Sequence, residues 1–277
     1  MLFERNKGLS LIELLVALVT VTVLSAASYR MFISQQNVYN IQDQVADMQQ
    51  NVRLSITRMV SKIRMAGYGG NILGSFGNVN GFTNIITPLH NANYIGTGDD
   101  SITIIIADDV STLTQNAAKG SSQLVLNNAN SIFDTGTKKY LCLNGENNYL
   151  VNAVSGNTVT LTTPLTEDHL INEAVSLVKA VTYKLQWDST NPTMPVLVED
   201  ENTGAGSQVI GENMERLEFQ YTLSDGTVTN SPATPSNIRM VKVDMTARTK
   251  MPDPQMPGDG YRRRELFSFV QVRNLGL

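Results

Sequence analysis

The sequence is short of the residues that catalysis and metal binding usually draw on. Its 277 residues hold one cysteine, Cys142, and two histidines, His90 and His169. A single cysteine excludes an internal disulfide, and its alternating apolar surroundings predict a buried core thiol. The histidines lie far apart in sequence and outside any catalytic spacing. Gly-x-Ser-x-Gly, His-Glu-x-x-His, a phosphate loop and a Cys/His metal pattern are all missing, so neither an enzyme nor a cofactor is expected. Charged residues make up 17%, the net charge is −4 and the pI is about 5.3. No basic tract stands out, and no nucleic-acid partner is expected. A hydrophobic share of 42% is that of a globular chain rather than a disordered one.

One absence is local. Residues 9–66 contain neither glycine nor proline, a run of 58 residues without a helix breaker that would reach ~87 Å as a helix. The first twenty, residues 9–28, carry a single charge, Glu13, and twenty apolar residues suffice to cross a hydrocarbon core of roughly 30 Å. An acidic side chain costs ~3 kcal/mol at mid-membrane and less near the end of a span, so Glu13 needs a partner or a role. Beyond Ser28 the pattern turns amphipathic. Val38, Ile41, Val45, Met48, Val52, Ile56, Met59 and Ile63 recur at three- and four-residue steps. Such a stripe suits a coiled-coil seam or packing on a sheet of the same chain. The many alternating strands downstream favour the sheet. Arg53, Arg58, Lys62 and Arg64 gather near the negative end of the helix dipole and read as a solvated face. Gly67 ends the helix, and Tyr68 is expected to fold back over the last turn.

Ahead of the apolar run stand Arg5, Lys7 and Gly8, followed by Leu9-Ser10-Leu11-Ile12-Glu13. A secretory signal places its apolar region before a small-residue cleavage site, whereas here it follows the glycine. The arrangement resembles the type III signal of the type IV prepilin family, with Leu9 standing where that family most often has Phe. A plain signal anchor is the alternative. The resemblance implies that a prepilin peptidase cuts between Gly8 and Leu9 and that the new amino terminus, on Leu9, is methylated. It also implies that Glu13 is an inter-subunit assembly charge, facing the amino group of Leu9 on a neighbouring subunit. Loss of the leader, whose Glu4, Arg5 and Lys7 sum to +1, would take the net charge from −4 to −5. The helix closes in Arg64-Met65-Ala66-Gly67-Tyr68, which resembles the PilW-like minor pilins and, more loosely, the J-type pseudopilins of type II secretion.

The remainder reads as β structure. A strand over 101–106 lies between Asp99-Asp100 and Asp108-Asp109. These pairs either hold a calcium ion, although their spacing is not that of a calcium loop, or cap and solubilise the strand ends. Short strands near 123–126, 139–143, 149–154, 159–162 and 175–178 predict a small barrel-like module inserted over 119–179. Longer strands follow over 180–187, 195–199, 238–247 and 266–274, residues 209–221 lead through a turn into a strand ending in Phe219-Gln220-Tyr221, and a proline-rich loop runs over 249–260. Arg262-Arg263-Arg264 lead into the last strand, as a solvated lead-in or a contact for acidic lipid headgroups. Phe219-Gln220-Tyr221, the Asp225-Gly226 turn, Arg248 at a strand end and the terminal Arg273-Asn274 again resemble the PilW-like pattern.

The expected fold class is therefore α+β. A long N-terminal helix, membrane-spanning in its first part and amphipathic in its second, packs on an antiparallel β-sheet with an inserted small all-β module. The divisions are a leader over 1–8, a transmembrane or filament-core helix over 9–28, its amphipathic continuation over 29–66 and a β-rich globular domain over 67–277. The resemblance implies a structural minor pilin of a type IV pilus, acting in pilus assembly and initiation within a tip complex. It would be anchored in the inner membrane with its globular domain in the periplasm, and would then pass into the pilus. Its partners would be other minor and major pilins, the prepilin peptidase and, in some such assemblies, a large tip adhesin. A type II secretion pseudopilin and a membrane-anchored binding module using 119–179 remain alternatives, and adhesion, motility and DNA uptake are not told apart.

Overall fold

A computed structural model describes residues 10–95 and 99–275. The chain opens with α1, Leu11–Arg64, a single helix of 54 residues. Residues 10–40 are exposed on every side, whereas Met48, Val52, Ile56, Met59 and Ile63 are buried. The apolar stripe thus packs on a sheet of the same chain, as its period predicts, but only along part of its length. Val38 stays exposed and Ile41 and Val45 are half-buried. The reason is one of reach. Strands of nine to eleven residues run only ~30–36 Å, and a helix covers that distance with about 20–24 residues.

After α1 come α2 (Ile72–Phe76), β1 (Ile86–Leu89), β2 (Ser101–Thr112), β3 (Gln123–Val125) and α3 (Ala129–Ile132). Next are β4 (Tyr140–Leu143), β5 (Asn147–Ser155), β6 (Thr158–Leu161), β7 (Ala174–Trp187), β8 (Pro195–Asp200) and β9 (Ser207–Glu212). The chain ends with β10 (Met214–Leu223), β11 (Val228–Thr229), β12 (Ile238–Arg248) and β13 (Arg263–Gln271). One sheet has the order β1-β2-β7-β4-β5-β6-β3, with β8 added to β7 and β9 to β8; the other has the order β11-β10-β12-β13. Pairing is antiparallel throughout both sheets.

β7 is where the parts meet. The alternation of apolar residues presents separate strands near 175–178 and 180–187, yet the structure runs them as one strand of 14 residues. Val175 and Leu177 enter a core shared with α3, β5 and β6. Val181, Tyr183 and Leu185 enter the core beneath α1. Val178 and Ala180 point to the opposite face, where α2, Tyr140 and Cys142 form a third core. Lys179, between the first two cores, supplies the charge that divides them in sequence while its backbone carries the strand through. Tyr68 packs with this third core instead of folding over the last turn of α1, and its hydroxyl lies against Gly145. Gly67, at φ +79°, turns the chain away from the helix axis and donates its N–H to Ile105 O at 2.9 Å.

β2 does not stop at Asp108-Asp109. It continues to Thr112 because both carboxylates find partners on neighbouring elements. Asp100, buried in front of β2, joins the two sheets. Its N–H donates to Leu217 O at 2.9 Å, and its carboxylate accepts the Phe219 N–H at 2.9 Å and the Asn91 N–H at 2.9 Å. The Asp99-Asp100 pair is thus buried, whereas Asp108 is half-buried and Asp109 exposed, and the second pair is tied to neighbouring elements by its ion pairs and by the hydrogen bond from Ser176.

Candidate functional site

Gly8 and Leu9, the expected cleavage and methylation positions, lie outside the described residues. Glu13 lies within them. Ser10 is the N-cap of α1, and its Oγ accepts the Glu13 N–H at 3.3 Å while the Glu13 carboxylate accepts the Ser10 N–H at 2.9 Å. This reciprocal pair satisfies two of the otherwise orphaned donors at the helix start. It also sets the carboxylate at the positive end of the helix dipole. Glu13 therefore has a local partner in its own chain, which lowers the cost of carrying it at the edge of an apolar segment.

From Leu14 to Tyr29 the helix carries no charge, and Arg30 is the next charged residue. The 17 steps from Glu13 to Arg30 span ~25 Å of helix. Among the described residues α1 is the helix long and apolar enough to cross a membrane, and none of that apolar window is buried within the protein. The two threonines inside it are satisfied locally. Thr20 Oγ1 donates to Ala17 O at 2.9 Å and Thr22 Oγ1 to Leu18 O at 2.6 Å, so neither presents a free hydroxyl to lipid or to another helix. Leu14, Ala17, Leu18, Val21 and Thr22 surround a shallow apolar hollow on one side of the helix. The small Ala17 side chain is what allows a neighbouring ridge to approach there. The apolar length is plain in the sequence, whereas this hollow is marked there only by one small residue in a run of large ones.

The second half of α1 is fixed by charge as well as by apolar packing. Arg58 donates through Nε and Nη2 to Glu199 on β8 at 3.0 and 3.2 Å, and Tyr183 Oη donates to the same carboxylate at 3.1 Å. One turn later Lys62 Nζ donates to Asp108 on β2 at 2.6 Å, and Lys179 on β7 lies 2.9 Å from that carboxylate. Burial alone would raise the Asp108 carboxyl, but the hydrogen bonds from Lys62 and Lys179 outweigh it and hold it below the ordinary value. Arg58 and Lys62 are thus bound to the larger sheet, where the sequence suggested a solvated face. Ser55 Oγ donates to Ile210 O at 2.9 Å, and the approach is so close that a Cβ on Gly211 would collide with that hydroxyl and lie 2.9 Å from Met214 Cε. At the helix end Asn274 Nδ2 donates to Ala66 O at 3.3 Å, which gives the Arg273-Asn274 terminus a capping role.

The remaining polar candidates are likewise engaged. The Nδ1 of His90 donates to Asp100 at 2.8 Å and that of His169 to Glu173 at 2.7 Å. Cys142 is buried, and desolvation pushes its thiol up to about 12. Within the arginine triplet, Arg262 pairs with Asp253 at 2.7 Å and Arg263 with Glu215 at 2.6 Å and with Asp259. Two of the three thus brace the proline-rich loop.

No protein-family model matches this chain, and no curated protein matches it either. Among solved structures, a type IV-like pilin from Thermus thermophilus aligns with a TM-score of 0.37 at 10% identity, over 82% of this chain and 98% of that one. A superposition as loose as this carries no argument about the present chain.

Proposed function

We propose that this chain is a structural subunit of a membrane-anchored filament, specifically a minor pilin of a type IV pilus of the PilW-like kind, with no catalytic role. One observation carries the reading: α1 is a continuous rod whose apolar first half is exposed on all sides while its second half is locked into the globular domain. A surface of that extent is not stable in water, and its length suits either a bilayer or a bundle of like helices. The leader would be removed between Gly8 and Leu9, leaving a methylated Leu9. The subunit would wait in the inner membrane with its domain in the periplasm, then enter the pilus with other minor and major pilins and, in the tip, an adhesin.

Glu13 would serve at the transfer step. In the membrane its carboxylate is capped by Ser10. Among apolar helices in a filament it would need a full counter-charge, and the Leu9 amino group of the adjacent subunit supplies one. Removing one side of a buried pair costs ~3–5 kcal/mol. Mass spectrometry of the mature protein is expected to place its first residue at Leu9, and Gly8→Val to leave the leader attached. Glu13→Ala is expected to be cut normally but to be lost from sheared filaments. Normal incorporation of that variant, or a mature chain beginning elsewhere, would overturn the reading.

A further inference from the structure

The loop between β12 and β13 carries an exposed apolar face. Residues 251–257 read Met-Pro-Asp-Pro-Gln-Met-Pro, five apolar residues in seven with Asp253 as the single charge. Asp253 is buried and paired with Arg262 at 2.7 Å. Met251 and Met256 are 61% and 40% exposed, and Pro252, Pro254 and Pro257 are exposed as well. The loop is firmly built. The Asp253 N–H donates to Gly260 O at 2.7 Å, the Thr249 N–H to Arg262 O at 2.9 Å and the Met256 N–H to Asp253 O at 3.0 Å. A Cβ on Gly260 would lie 2.9 Å from Pro252 Cβ. The two methionines are thus held outward on a fixed frame.

This loop stands at the end of the domain nearest the apolar half of α1. The Met251 N–H donates to Gln44 Oε1 at 2.9 Å. From there the loop runs down the helix, and Met251, Pro252 and Pro254 share with Asn37, Ile41 and Gln44 a largely apolar groove of about 210 Å³. Below the groove, α1 stays apolar past Arg30. Met31, Phe32 and Ile33 are exposed there, with exposed Tyr29 and Tyr39 to either side. Aromatic side chains and a lone arginine at one level suit a membrane–water boundary. Ile33 lies four residues before Asn37, ~6 Å of helix. The headgroup layer beyond the hydrocarbon is itself about 5–8 Å deep on each side. A tilt of α1 toward the loop by about 20° lowers it further.

We propose that residues 251–257 rest on the bilayer surface, with Met251 and Met256 seated in its interfacial layer, so that the subunit touches the membrane both at α1 and at this loop. The inference rests on the reading of α1 as a membrane anchor. The partner is the lipid interface itself and not anionic headgroups in particular, because this end of the domain has no excess of positive charge. Arg248 and Arg263 share Glu215, Arg263 also pairs with Asp259, and Arg262 pairs with Asp253. Lys250 lies in a hollow with Asp47 and Glu212. With Arg264 counted, five cations stand against five carboxylates. Because α1 already holds the loop beside the bilayer, a weak apolar contact is enough to close it. Two points of attachment fix both the tilt of α1 and its rotation about its own axis.

The test uses the full chain in phosphatidylcholine vesicles that contain a lipid with a nitroxide on its headgroup. A fluorophore is attached to Gln255→Cys in the loop or to Ser224→Cys in the turn just past the far end of β10. Cys142 is buried and stays unlabelled. Strong quenching is expected at position 255 and weak quenching at position 224, with no change when phosphatidylglycerol is added. Met251→Ser combined with Met256→Ser is expected to remove roughly half of the quenching at position 255. Equal quenching at the two positions, full quenching at 255 in the double-serine variant, or quenching that needs phosphatidylglycerol would each overturn the proposal. So would shielding of position 255 in detergent as protein concentration rises, which would assign the loop to a second copy. A fluorophore on Leu18→Cys, read against a nitroxide deep on the acyl chain, reports on the anchor separately. Quenching there without quenching at 255 overturns this proposal alone, and its absence overturns the anchor as well.

Discussion

At the scale of single residues, charge does more holding than the composition suggests. Asp108 shows it most clearly. It faces Lys62 from α1 and Lys179 from β7, and its carboxyl titrates below the ordinary value because those hydrogen bonds outweigh burial. A carboxylate depressed in the folded state contributes stability above its unfolded pKa of about 4. That contribution is lost as pH falls through the lower native value. Lys62→Met is therefore expected to cost about 1 kcal/mol at neutral pH, since both side chains are partly exposed and screened. The difference from the unaltered chain should shrink as pH drops below about 4, as followed by urea unfolding at a series of pH values. These roles were not legible in the sequence. The acidic pair at 108–109 marks a strand end by local rules, and only the arrival of α1 and β7 from 46 and 71 residues away in sequence turns Asp108 into the centre of a network.

At the scale of elements, α1 is one helix with two environments. Its period, its lack of breakers and its capping residues are local properties, and all of them can be read directly from the chain. Where the buried part starts is not local, because it depends on where the sheets begin. Met59 is fully buried among strands from both sheets, while Leu18 is 63% exposed. Met59→Ala is expected to lower domain stability by 2–5 kcal/mol. Leu18→Ala should change it by less than about 0.5 kcal/mol and act instead on membrane retention. Denaturant unfolding and membrane fractionation of the two variants separate these effects. Gly211 lies close against α1, where an added Cβ would collide with the Ser55 hydroxyl. Gly211→Ala is expected to cost ~1–3 kcal/mol through forced separation of helix and strand, with part of the loss recovered in the double variant with Ser55→Ala, where the unfolding free energies give the coupling.

At the scale of the whole molecule, the globular part owes nothing to the first thirty residues of the helix. No residue in 10–40 is buried, and the core beneath α1 draws on the helix from Val45 onward. A chain beginning at Asn40 is expected to unfold within about 0.5 kcal/mol of the full chain and to need no detergent; a large loss of stability in denaturant titration would show that the exposed half supports the fold. The sequence by itself determined the helix, its apolar length, the placement of Glu13 behind a basic leader and glycine, and the β character of the rest. These follow from composition and periodicity over neighbouring residues, which is where hydrogen-bonding pattern and hydrophobic period are set. Tertiary structure alone decided that two apparent strands are the single β7, that Tyr68 leaves the helix, and that Arg58 and Lys62 bind the larger sheet. Each of these depends on residues distant in sequence meeting in space, and alternation along a strand says which residues share a face but not what will cover it.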